Sequence, residues 1–184
     1  MKKVMSKPLI IDLFSGCGGF SIGFHQAGFK TFLSADNDQA SCESFKNMSK
    51  ESIVMNADIT SQKFKEDLGS LLRDKEIPID GLIAGLPCQS YSSVGKAQDK
   101  NSMQFDKRNF FYKDFFQCLD LIKPKFFIFE NVSGILSARP NGKRIFEDII
   151  TKAKELNFSI MDDRNTVLLN SCLLYTSPSP RDAT

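Results

Sequence analysis

Apolar runs of strand length recur along the chain, from Leu9 to Phe14, Lys30 to Ala35, Ser52 to Met55, Ile79 to Ala84 and Lys125 to Glu130, with a weaker one from Phe158 to Asn170. Between them lie segments with helical spacing: Phe20, Gly23, Phe24, Ala27; then Phe111, Phe115, Leu119, Ile122; then Phe146, Ile149, Ile150, Ala153. Strands alternating with amphipathic helices predict an α/β fold with a parallel sheet. The three stripes read as core facing that sheet. Pro8, Pro78 and Pro124 stand at or before strand starts, where a missing N–H is harmless, and Gly81 is the one awkward strand glycine. One stretch breaks the rhythm. From Gly85 to about Lys107 the chain is rich in Gly, Pro, Ser, Gln and Asp without periodicity. A loop that long, leaving the carboxyl end of a strand, stands where open α/β sheets bind ligands.

Composition narrows the class without naming a function. With 184 residues, 41% of them hydrophobic, the chain suits a single domain with an ample core, which excludes disordered and fibrous classes. Basic residues number 24 against 22 acidic ones, so a polyanionic partner would have to meet a local basic surface. No run reaches the roughly 18 apolar residues of a membrane span, and Met1 to Lys7 does not read as a signal peptide, so a cytoplasmic protein is expected. Cys17, Cys42, Cys88, Cys118 and Cys172 show no C-x-x-C spacing, which argues against a disulfide framework or a structural metal site.

Candidate chemistry concentrates at two places. The first strand runs into Ser15-Gly16-Cys17-Gly18-Gly19 with a helix pattern directly behind, a glycine turn that lets a ligand approach the backbone and helix N–H groups. A strict G-x-G-x-x-G would want glycine where Ser21 stands. Asp36, twenty positions after Gly16, is spaced to accept from ribose hydroxyls, and Asp58 follows the third strand, placed to accept from an adenine amino group. Either acid alone would serve equally as a cap or turn residue; with the turn they favour an adenosine-containing cofactor. No G-x-x-x-x-G-K-[ST] loop is present, which disfavours ATP hydrolysis. At the second place, Gly85-Leu86-Pro87-Cys88-Gln89-Ser90 presents a cysteine beyond a strand end, a candidate nucleophile. Glu130 ends a neighbouring strand and, in a partly apolar site, would hold a proton for a ring nitrogen. A Cys/His protease lacks its partner, because the single histidine, His25, belongs to the first helix. A zinc deaminase would need a second cysteine in P-C-x-x-C.

These residues, Asp12-Leu-Phe-Ser-Gly-Cys-Gly-Gly19, Asp36 and Asp58, Gly85-Leu-Pro-Cys-Gln-Ser90 and Glu130-Asn-Val132, resemble the cytosine C5 methyltransferases that use S-adenosylmethionine, over about residues 9 to 170. The resemblance implies a Rossmann-like, doubly wound, mostly parallel sheet, truncated before its later strands and the target-recognition domain. It implies that Phe14, Gly16, Gly18, Asp36, Asp58, Ile59 and Phe111 bind S-adenosylmethionine. Cys88 would attack C6 of a flipped cytosine in double-stranded DNA, Glu130 would bind N3, and Arg108, in a D-x-R element with Asp106, would meet phosphate or orient the loop. Pro87, Gln89, Ser90, Ser92, Gly95, Lys96, Asn131 and Val132 would surround the substrate. Neither a metal nor a membrane is implied; a cognate restriction endonuclease is a plausible partner.

The family's Q-x-R-x-R element and recognition region are not found. Cys172 to Asp182 looks like a reading frame of a sequencing adapter, which predicts a methyltransferase portion over residues 1–171 and a non-native tail over 172–184, in a fragment expected to be inactive by itself. A non-catalytic module, a transfer-RNA cytosine methyltransferase and a dinucleotide-dependent oxidoreductase compete with this reading. The last leaves Cys88 and Glu130 without a role.

Overall fold

A computed structural model describes residues 7–75, 77–87 and 106–160. Five strands, β1 (Leu9–Leu13), β2 (Lys30–Asp36), β3 (Ile53–Asn56), β4 (Gly81–Gly85) and β5 (Phe126–Glu130), form one sheet in the order β3-β2-β1-β4-β5. Every pairing is parallel. The helices are α1 (Gly19–Gln26), α2 (Gln39–Met48), α3 (Gln62–Lys75), α4 (Phe111–Ile122) and α5 (Ile145–Glu155). The chain therefore winds outward from β1 through β2 to β3, returns to β4 and continues to β5. Such a reversal puts the helices before it, α1 and α2, on the opposite face from those after it, because parallel crossovers keep one hand. The α/β expectation holds, and the reversal point falls between β1 and β4, where such sheets open a ligand crevice.

One face buries an apolar layer. Ile11, Leu13, Leu33, Ala35, Leu82 and Ala84 meet Phe64 and Leu68 of α3, Phe115 and Leu119 of α4, and Ile149 and Ala153 of α5. Phe115 is fully buried, with its ring 5.8 Å from Phe116, 5.7 Å from Phe127 and 5.5 Å from Phe129. The three helices are also tied together at their flanks. Lys65 of α3 donates to Asp114 of α4 at 2.7 Å, and the Tyr112 hydroxyl of α4 donates to Asp148 of α5 at 2.6 Å.

The other face, under α1 and α2, is built differently. Here Ile10, Ile83, Cys42 and Phe45 are buried, but so are Asp12, Ser21, Thr31 and Ser34. Gly81 is explained on this side: a Cβ there would enter the Phe126 ring, which itself packs on Phe24 and Phe29. Helix α2 starts at Asp38, whose carboxylate accepts from the Ser41 N–H at 2.8 Å, and α4 ends at Lys123 in a left-handed conformation (φ 51°). The weaker run expected from Phe158 forms no strand through Ile160, and its remainder lies outside the described residues. None of the described helices is long and apolar enough to cross a membrane.

Candidate active site

Strand β1 delivers the chain to the glycine turn. Phe14 leaves the strand with φ 55°, an uncommon conformation for a bulky residue, and Gly16 and Gly18 follow at φ 51° and 93°. Gly18 admits no other residue without rearrangement: a Cβ would lie 2.8 Å from the Phe45 ring. The bend aims the Phe14 ring at Phe111, the first residue of α4, and the two stack at 5.6 Å with 14° between planes. Two residues distant by nearly a hundred positions thus wall one side of the turn.

Asp36 closes the other side. Its Oδ2 accepts from the Gly16 N–H at 2.8 Å and its Oδ1 from the Asp38 N–H at 2.9 Å. The twenty-residue spacing read from the sequence is therefore a direct contact. The Asp36 carbonyl accepts from Ala57 N–H at 2.9 Å, which brings the Asp58 loop alongside. Asp58 is exposed; its Oδ1 accepts from the Thr60 backbone and hydroxyl at 2.9 and 2.8 Å, while no described group donates to Oδ2. Ile59 is 2% exposed and belongs to the core, so any contact it makes with a ligand comes through its main chain. The glycine turn, its aromatic wall and the Asp36 and Asp58 carboxylates thus gather acceptors whose chemistry suits the hydroxyl and amino donors of an adenosine-bearing ligand.

The reactive end lies on the adjoining strands. Gly85 of β4 stands in register with Glu130 of β5. Beyond the strand tips, the Leu86 N–H donates to the Glu130 carbonyl at 3.2 Å, and the Asn131 side-chain amide donates to the Leu86 carbonyl at 3.4 Å. The Asn131 Oδ1 accepts in turn from Val132 N–H at 2.9 Å. Pro87 is half-buried and Glu130 exposed. The backbone of Gly85 also approaches the turn, with its Cβ direction 3.8 Å from the Phe14 carbonyl oxygen. Cys88, Gln89, Ser90, Ser92, Gly95 and Lys96 lie outside the described residues. Arg108 is committed to Asp106: its Nε donates to both carboxylate oxygens at 2.9 Å and Nη2 donates to Oδ2 at 2.6 Å. That hydrogen bonding holds the Asp106 carboxyl below its ordinary range and raises the Arg108 guanidinium. Among the described residues no group of three His, Cys, Asp or Glu could hold a metal ion.

Four polar residues behind the turn were not assigned a role from the sequence. Asp12 is 0% exposed, and Ser21 donates to its Oδ2 at 2.6 Å. Burial pushes the Asp12 carboxyl up to about 7, against the lowering effect of the Ser21 hydrogen bonds, with the Asp36 charge raising it further. The signal in the sequence was Ser21 itself, standing where a dinucleotide fingerprint carries glycine.

The profile of the C-5 cytosine-specific DNA methylase family matches residues 9–177, and the chain belongs to that family. The Type II methyltransferase M.DdeI of Desulfomicrobium norvegicum is 34% identical over 89% of this chain and 36% of its own length. The Type II methyltransferase M.NgoFVII of Neisseria gonorrhoeae is 36% identical over 84% of this chain and 38% of its own. Among solved structures, a prophage-encoded E. coli protein described as a DNA modification methyltransferase superposes with a TM-score of 0.60 at 29% identity, over 82% of this chain and 37% of that one. Spodoptera frugiperda DNMT2, at 22% identity and a TM-score of 0.58 over 82% of this chain and 42% of its own, shares the fold. The chain spans well under half the length of these relatives.

Proposed function

We propose that this chain carries the cofactor-binding and bond-forming part of an enzyme that transfers a methyl group to C5 of cytosine in double-stranded DNA. The observation that supports it most is the pairing of Gly85 with Glu130 and the two hydrogen bonds that join Leu86 to Glu130 and Asn131. These bonds lock together the strand tips that lead to Cys88 and carry Glu130. Phe14 and Phe111 would hold an adenine between aromatic wall and core, Asp36 would accept from ribose hydroxyls, and Asp58 from the adenine amino group. S-adenosylmethionine, bound there, supplies an electrophilic methyl.

The protein's own groups must make cytosine C5 nucleophilic. The Cys88 thiolate adds to C6, and the electron pair of the C5–C6 double bond is pushed toward C5 as the protonated Glu130 hydrogen-bonds N3. C5 then takes the methyl, leaving S-adenosylhomocysteine; the C5 proton passes to solvent, and the C6–S bond breaks to restore the aromatic ring and the Cys88 thiolate. The base must leave the duplex first, which costs a few kcal/mol, least at an unstacked site. A restriction endonuclease as partner remains part of this proposal.

Methyl incorporation from tritiated S-adenosylmethionine into duplex DNA tests the reading in a protein carrying the rest of the catalytic domain. Loss of turnover by at least about 10³-fold in Cys88→Ser, with a covalent complex on 5-fluorocytosine DNA only when Cys88 is present, is the expected result. Transfer to RNA alone, or undiminished transfer in Cys88→Ser, would overturn it.

A further inference from the structure

Behind the glycine turn the described residues hold a polar chain that the methyl-transfer chemistry leaves unused. Ser21 donates to Asp12 Oδ2 at 2.6 Å, Thr31 Oγ1 donates to Ser21 Oγ at 2.9 Å, and His25 Nε2 lies 2.9 Å from Thr31 Oγ1. Asp12, Ser21 and Thr31 are buried; His25 is half-exposed, so the chain runs from solvent to the interior. The groups facing it are few: Asp36 at the tip of β2, Lys7 before β1, and the apolar Ile83 of β4, which pairs with Asp12. Helix α1 brings no charged residue besides His25.

Proton counting allows two arrangements. Each hydroxyl has one proton, so the three hydrogen bonds must all point the same way. With Asp12 ionised, His25 Nε2–H donates to Thr31, Thr31 to Ser21 and Ser21 to Asp12. With Asp12 neutral, all three reverse: Asp12 donates to Ser21, Ser21 to Thr31, and Thr31 to a bare Nε2. The second arrangement also suits the Thr31 backbone N–H, which points at Nε2 from 3.3 Å. The first suits the short Ser21 contact, typical of a hydroxyl on a carboxylate.

We propose that Asp12, Ser21, Thr31 and His25 are a reversible proton relay that sets the charge behind the cofactor turn, so that binding of the S-adenosylmethionine cation is coupled to the direction of the relay. The coupling rests on the reading of the turn as that cofactor's site; the relay itself does not. In one cycle His25 takes a solvent proton at Nδ1, passes its Nε2 proton to Thr31, Thr31 passes its own to Ser21, and Ser21 passes its own to Asp12. One proton enters, three shift, and His25 ends neutral with its tautomer exchanged. Asp12, pushed up to about 7 by burial, changes charge within the physiological range. His25 is held below its ordinary value by burial and by Lys7, so it remains largely neutral while the relay turns. A ligand carrying positive charge favours the ionised Asp12, and by linkage its affinity rises with pH.

Because the chain has a single histidine, nitrogen-15 spectra of its imidazole report the relay without ambiguity. The expected result, without ligand, is the Nδ1–H tautomer at pH 6.5 giving way to the Nε2–H tautomer at pH 8. In Asp12→Asn and in Thr31→Val the tautomer should no longer follow pH; the second variant serves if the first fails to fold. One unchanged tautomer across this range in the parent protein, or a switch that persists in both variants, overturns the relay. Calorimetry then tests the coupling: S-adenosylmethionine should bind up to about tenfold more tightly at pH 8 than at pH 6, and S-adenosylhomocysteine, lacking the sulfonium charge, with less dependence. Equal pH dependence for the two ligands overturns the coupling. Failure of both to bind at any pH overturns the cofactor reading, while the ligand-free tautomer switch still decides the relay.

Discussion

The two faces of the sheet solve the problem of burial in opposite ways. Under α3, α4 and α5 the layer is apolar throughout, with Phe115 at its centre and its ring edge to face with Phe116 and Phe129. Under α1 and α2, at the same depth, Asp12, Ser21, Thr31 and Ser34 sit within the fold. Ser34 stands in register beside Asp12, and both Ser34 Oγ and Asp12 Oδ1 are buried without a partner among the described residues. An apolar layer costs nothing to dehydrate, whereas unpaired polar atoms do. The apolar face supplies stability, and the polar one, directly behind the glycine turn, accepts a cost for what its charge does there.

Three measurements break or sharpen that contrast. The largest effect belongs to the apolar face: Phe115→Ala should lower unfolding free energy by about 3–5 kcal/mol, since it empties the centre of the ring cluster. A urea-denaturation loss under about 1 kcal/mol would mean that the layer repacks freely. Next comes the pH dependence of the polar face. A carboxyl raised from 3.8 to about 7 on folding holds its proton more tightly in the native state. Its contribution is therefore full below pH 4 and is lost as pH rises through 7, at about 1.4 kcal/mol per pH unit at most. The carboxyls of Asp38, Asp80 and Asp106, held low, gain stability only in the acid range below this window. His25, held low, opposes the slope near pH 6. Denaturation midpoints between pH 5 and 7 should fall in the parent and, in Asp12→Asn, stay level or rise slightly through His25. The smallest effect contrasts two hydroxyls: Cys118→Ser, placing one in the apolar layer, should cost about 1–3 kcal/mol, while Ser34→Ala, removing an unpaired one, should change stability by under about 0.5 kcal/mol. Equal losses would erase the distinction between the faces.

Cys118 also shows how environment decides reactivity. Burial pushes its thiol up to about 12, and it lies in the core. Cys17, one turn residue from Gly16, is exposed. Composition counted five cysteines as equals; only packing separates an inert thiol from an accessible one.

Much of the fold was legible because its signals are local. Apolar runs gave all five strands to within about two residues, clearest in the central β1 and β4, where a strand buried on both faces must be apolar at nearly every position. Helix α2 was harder to see, because it buries only Cys42 and Phe45 and relies on the Asp38 cap. The chemical motifs were legible for the same local reason: a turn that requires positive φ writes itself as Gly16 and Gly18.

What the amino-acid order determined by itself was the five strands, three of the five described helices, the glycine turn and the acids spaced for a nucleoside. Tertiary structure decided which of them meet. Phe14 faces Phe111 only because β1 and the start of α4 adjoin across the reversal point. Glu130 ties to Leu86 only because β4 and β5 pair in register. Ser21 was the one local hint of the buried Asp12, and it could not show the burial itself, since a carboxylate at a strand end reads as solvated until a helix and a neighbouring strand close over it. Charge in a low-dielectric interior is a property of everything around the group, and that is assembled only when the chain folds.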